Sequence, residues 1–457
     1  MNNDKALNSY FNWLKIKDMS PKLRIELHSL IKDLDAVNDR FGTNKIFNVP
    51  FFSGIIGVGT SRINEYTICP AILGFGKYIK NKENNNILIT NGSKHFPLEL
   101  LNTIARILVA VGNKVFIMND VPSDIIAGSS IRKMKFGGGI HISENITDGR
   151  QGIKFLEEDG GSIFLKQSLD EIAKEKITIE KSFSFIKCLD TFEQFKEHDR
   201  IFNLNNKGID IYLDELCGFI RGLQININDE NILKIIIENE KKNEREVIRK
   251  ALKRAGYGKV LVASIDDLVM NEEDVLANDM IKTIINLDVA LASDLFFIIS
   301  PNLEKMDLLI RENEHKISLL NHKEIGLLMM EYILSQNIFE RSEDSICLVP
   351  KRYIEIANLI GKRHNIMIET FDDIDYAEAE NKSMEFVNSC NTKKILYGFD
   401  GEGRYSFSDN FGKSDIIKAV LIISQIIKEC KKRNRLISEE IDNIKSLYGE
   451  PIWEISN

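Results

Sequence analysis

Phe136-Gly137-Gly138-Gly139-Ile140-His141-Ile142-Ser143-Glu144-Asn145-Ile146-Thr147-Asp148-Gly149-Arg150-Gln151-Gly152-Ile153-Lys154-Phe155-Leu156-Glu157-Glu158-Asp159-Gly160-Gly161 is the stretch that decides the fold. Three glycines lead into Ile140 and Ile142, which alternate as a short strand does, and the strand runs out into the polar Ser143-Glu144-Asn145. A turn follows, and Gln151-Gly152-Ile153-Lys154 leaves it toward a second glycine-rich stretch. Ser143 is then a small polar residue on the loop after the strand, and His141 is a strand histidine rather than an acid or a base.

Working outward, residues 20–40 carry Leu23, Leu27, Leu30, Leu34 and Val37 at spacings of four and three, which predicts one amphipathic helix. The glycine-rich region 41–62 has no clear period. A helix over 67–82, a strand at 87–90, a helix over 97–111 and a strand at 114–118 come next. The same alternation returns twice. Strands at 233–237, 260–262 and 289–292 accompany a helix over 244–256, and strands at 345–349, 366–368 and 395–399 accompany a helix over 352–364. Short apolar runs alternating with amphipathic helices argue for an α/β protein with parallel or mixed sheets. Polar spacers near 190–208 and 301–316 set the expected domains at 1–190, 191–300 and 301–457.

At 457 residues, with 43% hydrophobic and 28% charged residues, the chain has the composition of a globular protein of several domains. Its net charge of -8 and the lack of a sustained basic patch argue against nucleic acid as a partner. The polar start Met1-Asn2-Asn3-Asp4-Lys5 and the absence of an apolar run of about 18 residues argue against a membrane and for a cytoplasmic location. The six cysteines, Cys69, Cys188, Cys217, Cys347, Cys390 and Cys430, lack zinc-site spacing and read as reduced thiols. No Gly-x-Ser-x-Gly elbow or nucleotide phosphate loop is present, and Asp266-Asp267 and Asp372-Asp373 read as solvated loop charges.

On this background the opening stretch resembles the phosphoserine loop of the α-D-phosphohexomutases. In that family a strand ending Thr-Ala-Ser-His-Asn-Pro is followed by a turn and Asn-Gly-Tyr-Lys. Ser143-Glu144-Asn145 stands for Ser-His-Asn, and Gln151-Gly152-Ile153-Lys154 for Asn-Gly-Tyr-Lys. Phe41-Gly42-Thr43 resembles the family's opening Phe-Gly-Thr. Gly57-Val58-Gly59-Thr60-Ser61-Arg62-Ile63-Asn64-Glu65-Tyr66-Thr67 is similar to Gly-x-Gly-Thr-x-Arg-Met-Asn-x-Tyr-Thr, and Ser93-Lys94-His95 to Ser-Arg-His. Tyr397-Gly398-Phe399-Asp400 through Tyr405, then Asp409 and the helix from Asp415, resembles the sugar loop Phe-Gly-Tyr-Glu-Glu-Ser and its helix. The likeness is greatest to the branch acting on glucose phosphates. It implies three α/β/α domains with mixed sheets, and a fourth, phosphate-binding domain whose Arg-x-Ser-Gly-Thr-Glu loop finds no match and is expected to be absent.

The resemblance also implies a chemistry: a phosphoryl group passes between an enzyme phosphoserine and a hexose phosphate, with Mg²⁺ neutralising the charge. Counting back from Gly152 puts Glu144 at the serine position, whereas one inserted residue puts Ser143 there; Ser143 is taken as the placement. The implied substrate contacts fall on Arg62, Lys94, His95, Lys154, Asp400 and Glu402. The family's metal loop, Thr-Asp-Pro-Asp-Ala-Asp-Arg after a buried strand, is matched to Asp288 through Asp294 and the continuation Leu295-Phe296-Phe297-Ile298-Ile299. Asp294 is then the one remaining ligand, with Phe296, Ile298 and Ile299 in the places of two carboxylates and the arginine. In the sugar loop Asp400-Gly401-Glu402 replaces Glu-Glu-Ser. Asn239-Glu240-Lys241 replaces the second unit's Leu-His-Gly turn, Phe47 replaces an arginine of the first loop, and no lysine matches the third unit's Gly-Phe-Lys near Thr370-Phe371. The expectation is a catalytically inactive phosphoglucomutase/phosphomannomutase-like protein without a cofactor, with a binding, scaffolding or regulatory role toward a protein partner. The alternative is an active mutase that interconverts hexose 1- and 6-phosphates through a phosphoserine and Mg²⁺.

Overall fold

The computed structural model describes residues 2–17, 19–42, 51–144, 149–163, 166–191, 200–205, 207–223, 233–264, 293–313, 316–371, 394–408 and 413–449. Two compact units divide the chain, Met1–Ile211 and Tyr212–Asn457.

The first unit opens with α1 (Asn2–Leu14), α2 (Pro21–Ser29) and α3 (Leu34–Phe41). The single helix expected over 20–40 is broken, because the Asp33 carboxylate accepts the Ala36 N–H and so starts a new helix after a 3-10 turn at Leu30–Lys32. The unit continues with β1 (Phe51–Gly54), α4 (Glu65–Lys80), β2 (Asn86–Asn91), α5 (Leu98–Ala110), β3 (Lys114–Asn119), α6 (Asp124–Met134), β4 (Gly138–Glu144), β5 (Gln151–Glu157), α7 (Lys166–Lys174), α8 (Ile179–Thr191) and β6 (Ile201–Asn203). Its sheet has the order β1-β5-β4-β2-β3-β6. Trp13 of α1 meets Phe41, Tyr66 and Phe183 edge-on at 5.5, 6.2 and 5.2 Å between ring centroids, which ties the N-terminal helices to α4 and α8.

The second unit contains α9 (Gly208–Gly222, from Tyr212 on), β7 (Lys234–Glu238), α10 (Lys242–Arg254), β8 (Lys259–Ala263), β9 (Leu295–Ile299), β10 (Met306–Asn313), β11 (Lys316–Leu319) and α11 (His322–Gln336). It goes on with β12 (Ser345–Pro350), α12 (Ile354–His364), β13 (Met367–Phe371), β14 (Lys394–Phe399), β15 (Tyr405–Phe407), α13 (Ile416–Lys432) and α14 (Ile437–Tyr448). Two sheets result, β11-β10-β9-β7-β8 and β13-β12-β14-β15.

The three sheets share one plan. Each holds a run in the order second, first, third, fourth: β3-β2-β4-β5, β8-β7-β9-β10 and β13-β12-β14-β15. In every case the first three strands are parallel and the fourth returns antiparallel beside the third. The α/β reading with three mixed sheets therefore holds. Within the expected linkers, β6 at 201–203 pairs with β3, and 300–305 is a hairpin loop followed by β10. Residue 300 lies on the turn between β9 and β10, two neighbouring strands of the second sheet.

That hairpin corrects the reading of Leu295-Phe296-Phe297-Ile298-Ile299. These residues form no loop; they are β9, the middle strand of its sheet, with β7 on one side and β10 on the other. Their continuous apolar character follows from burial on both faces. Phe296 is fully buried between its ladder partners Ile236 and Leu309. Asp294 opens this strand instead of closing one. Residues 288–292, expected as the preceding strand, lie outside the described residues.

Candidate functional site

The common plan fixes where the chemistry-bearing loops fall. The serine stretch spans the turn between β4 and β5, and the sugar loop spans that between β14 and β15, so both join the third strand to the fourth. The equivalent place in the second sheet is Ser300-Pro301-Asn302-Leu303-Glu304-Lys305, between β9 and β10. It follows a buried strand and keeps the proline, so it reads residue for residue against Asp-Pro-Asp-Ala-Asp-Arg. First and third strands are parallel neighbours, so the turn after the first strand lies beside each of these loops. Those turns are Ser93-Lys94-His95, Asn239-Glu240-Lys241 and Lys351-Arg352-Tyr353.

In the first sheet the turn grips Glu144. Its buried carboxylate accepts hydrogen bonds from Ser93 Oγ at 2.9 Å and the Lys94 N–H at 3.1 Å, and a close contact from His95 Nδ1. Burial by itself would raise the Glu144 carboxyl, but the hydrogen bonds from His95 and Ser93 outweigh it and hold the group below the usual carboxylate range. Ser143 sits within β4 rather than on the loop after it, opposite Gly152, while Glu144 pairs with Gln151. Successive strand residues face opposite sides of a sheet, so the Ser143 hydroxyl lies on the face away from Glu144. There a Cβ on Gly152 would come within 2.5 Å of Ser143 Oγ, which explains the glycine. His141, on the Ser143 face, is buried with Nδ1 2.9 Å from Thr90 Oγ1. Asn145 lies outside the described residues.

The cationic candidates of this unit are mostly engaged. Lys154 pairs with Asp124 at 2.8 Å, and Arg62 pairs with Asp39. Asn64, in the same motif as Arg62, is the loop's fastener: it caps α4 through Tyr66 and Thr67 N–H and donates to the Gly57 and Gly59 carbonyls at 3.0 and 3.1 Å. Position 59 takes glycine for two reasons: its φ is 122°, and a Cβ would meet the Arg40 carbonyl oxygen at 2.4 Å. Lys94 and His95 have exposed side chains. Thr43 and Phe47 lie outside the described residues.

In the second sheet the loop is built around an ammonium and a buried acid. Lys241 Nζ donates to Asn302 Oδ1 at 2.8 Å and stands 3.5 Å from Glu244 Oε1. Glu244, with a fully buried side chain, also accepts from the Asn302 N–H at 2.9 Å and from Asn239 Nδ2 at 2.8 Å. Asn239 further donates to the carbonyls of Ile299 and Ser300, and Ser300 Oγ accepts the Lys305 N–H at 2.9 Å. Asn302 and Leu303 both adopt left-handed backbone, φ 67° and 59°; the leucine does so at a cost of about 1–2 kcal/mol, with its side chain buried. Asp294 is no part of this loop. Its carboxylate takes the Lys234 N–H at 2.7 Å and the Lys431 ammonium at 2.5 Å, at the far end of β9.

Burial pushes the Glu244 carboxyl up from 4.5 to about 7, against the opposing pull of Lys241, Asn239 and Asn302. The folded state therefore holds a proton that the unfolded chain has released between those two values, and this group withdraws stability as pH rises from 4.5 to about 7. The loss is on the order of 3 kcal/mol once complete. Urea unfolding of Glu244→Gln and of the parent across this window should show the parent losing stability relative to the variant as pH rises. Parallel pH profiles would contradict the assignment.

In the third sheet Asp400 holds its own turn: Oδ1 accepts the Glu402 and Arg404 N–H at 2.7 and 3.1 Å, and Oδ2 meets Arg404 Nη1 at 3.1 Å. Glu402 is exposed and 3.7 Å from Arg352. Asp409, Asp372 and Asp373 lie outside the described residues.

The sequence-level matching missed Ser300, Asn302, Glu304 and Lys305, as well as Glu244. Its signal was Pro301 at the spacing of the family's proline, hidden by the apolar strand before it. An Mg²⁺ ion needs hard oxygen ligands in near-octahedral array. Ser300, Asn302 and Glu304 supply one carboxylate where the family's loop has three, and an ammonium already lies on Asn302. The residues present do not fit the ion, and among the described residues no group of three His, Cys, Asp or Glu side chains is placed to hold a metal. No helix among them is long and apolar enough to cross a membrane.

Comparison with known proteins agrees with the fold. Residues 45–182 match the family model described as phosphoglucomutase/phosphomannomutase, alpha/beta/alpha domain I. The phosphoglucomutase of Staphylococcus haemolyticus is 22% identical over 453 residues, covering 96% of this chain and 78% of that protein. A solved structure from Thermus thermophilus superposes with a TM-score of 0.59 at 12% identity, over 89% of this chain and 84% of the other. A phosphoglucomutase/phosphomannomutase family protein from Burkholderia thailandensis does so with a TM-score of 0.55 at 14% identity, over 85% and 77%. A first-domain match across the serine stretch, a relative similar along nearly the whole chain and three sheets of one strand plan together support the α-D-phosphohexomutase family.

Proposed function

We propose that this protein is a phosphohexomutase relative that does not transfer phosphoryl groups and acts by binding, in a scaffolding or regulatory role toward a protein partner. The observation that carries the reading is the loop after β9, where Ser300, Asn302, Glu304 and Lys305 stand in place of three aspartates and an arginine and the Lys241 ammonium lies on Asn302. Phosphoryl transfer depends on positioning and charge neutralisation, with little covalent work for the protein, so loss of the metal loop removes a term worth several kcal/mol. The grip of Ser93, Lys94 and His95 on Glu144 supports the same reading, since the carboxylate oxygens are tied up by three donors of the turn and the Ser143 hydroxyl faces the other way.

The test is a mutase assay on the purified protein with glucose 1-phosphate, glucose 1,6-bisphosphate and Mg²⁺. Turnover is expected to be indistinguishable from that of Ser143→Ala. Conversion to glucose 6-phosphate that requires Ser143 would overturn the reading and establish an active phosphohexomutase.

A further inference from the structure

The disagreement between the β9–β10 loop and the ion that such loops hold has a resolution within the chain. We propose that the ammonium of Lys241 is the resident cation of this loop, neutralising Glu244 and fixing Asn302 as a bound divalent ion would, so that the loop keeps its shape without metal. The inference builds on the reading above, and it concerns what replaces the ion rather than whether catalysis survives.

Three features support it. The ammonium bridges the two elements that meet here, reaching Asn302 Oδ1 on the hairpin loop at 2.8 Å and Glu244 Oε1 on α10 at 3.5 Å. Both side chains are withdrawn from water, Lys241 being 14% exposed and Glu244 0%, so each needs the other's charge. The oxygens around the ammonium are also tied to the backbone: Glu244 receives the Asn302 N–H, and Asn239 secures Glu244 and the Ile299 and Ser300 carbonyls. A divalent ion on Asn302 would have to share that oxygen with a fixed positive charge, which the ion's own charge opposes. Removal of the lysine side chain should reverse the situation, leaving a buried carboxylate and an amide oxygen that a cation can reach.

Thermal unfolding of the full chain tests this, with Mg²⁺ or Mn²⁺ titrated to millimolar concentration and with EDTA. The parent protein should show no saturable shift with either ion and no change with EDTA. Lys241→Ala should lower Tm on the order of 10 °C, because Glu244 loses its counter-charge and must either stay charged without a partner or take up a proton, and Asn302 loses its donor. Lys241→Ala/Glu244→Gln should recover most of that loss. Mn²⁺ should raise the Tm of Lys241→Ala saturably and leave the double variant unmoved, a response that a merely structural ion pair would not produce. A saturable metal shift in the parent protein, or a Lys241→Ala protein that is as stable as the parent or indifferent to Mn²⁺, overturns the proposal. If Lys241→Ala does not fold, the parent titration and the double variant still decide. These readings use no substrate, so a failure here is distinguishable from a failure of the mutase assay.

Discussion

Phe296→Asp should abolish cooperative folding of the second unit. The substitution looks like a repair if 295–299 is taken for the metal loop, since it returns an aspartate to a supposed ligand position. In the structure Phe296 lies in the middle of a five-stranded sheet, fully buried between Ile236 and Leu309. Losing the phenyl ring from such a site costs about 3–5 kcal/mol. Placing an unpaired carboxylate in the same dry space adds several kcal/mol more, by desolvation if it ionises or by a raised pKa if it does not. The sum rivals the whole net stability of a typical domain, about 5–15 kcal/mol. Phe296→Leu, which keeps the site apolar, should cost within the ordinary ~0.5–3 kcal/mol of a single substitution. Soluble expression and urea unfolding of the two variants check this. A Phe296→Asp protein that unfolds cooperatively near the parent midpoint would return these residues to the surface.

Glu144→Ala should be the next most damaging change, and its cost should depend on pH. The carboxylate accepts from Ser93 Oγ, the Lys94 N–H and His95, and hydrogen bonds to a charged group are worth about 1.5–3 kcal/mol each in favourable cases. Since His95 is largely exposed and can turn to water once released, the expected net cost is about 3 kcal/mol. The folded state depresses this carboxyl, so its stabilisation is complete above the unfolded pKa and is lost as pH falls through the folded one. The parent's advantage over Glu144→Ala should therefore be full at neutral pH and vanish on acidification, the reverse of the expectation for Glu244. Amide exchange at Lys94 and Phe96 should accelerate in the variant, because Glu144 and Ser93 hold those N–H groups. Unchanged exchange at both amides would mean that Glu144 does not hold the turn.

Both predictions turn on where a local pattern stops being informative. The alternation of apolar strands with amphipathic helices is a property of neighbouring residues, so β2, β3, β7, β12 and β14 were legible within a residue or two of their observed ends. The motif around Gly57 to Thr67 was legible for a related reason: Asn64 caps α4 and fastens its own loop, so the signal and the structure lie within ten residues of each other. The single helix expected over 20–40 failed because periodicity does not register a cap, and Asp33 supplies one.

What the chain could not reveal by itself depends on which strands are neighbours. A run such as Leu295 to Ile299 reads equally well as the end of one buried strand or as the whole of another, and the sequence cannot choose between them. Only the shared strand plan, with its third-to-fourth hairpin in every sheet, brings 300–305 into the position equivalent to the other two hairpin loops. Ser143 and Glu144 differ by one position, and along a strand one position is the difference between two faces. The register with Gln151 and Gly152 settles which of them meets Ser93, Lys94 and His95. Lys241 and Asn302 are 61 residues apart, and their contact exists because β7 and β9 run parallel and end side by side. Local propensity and hydrophobic rhythm are written in the sequence; the pairing of distant strand ends, which decides what each charged side chain touches, is a property of the folded sheet.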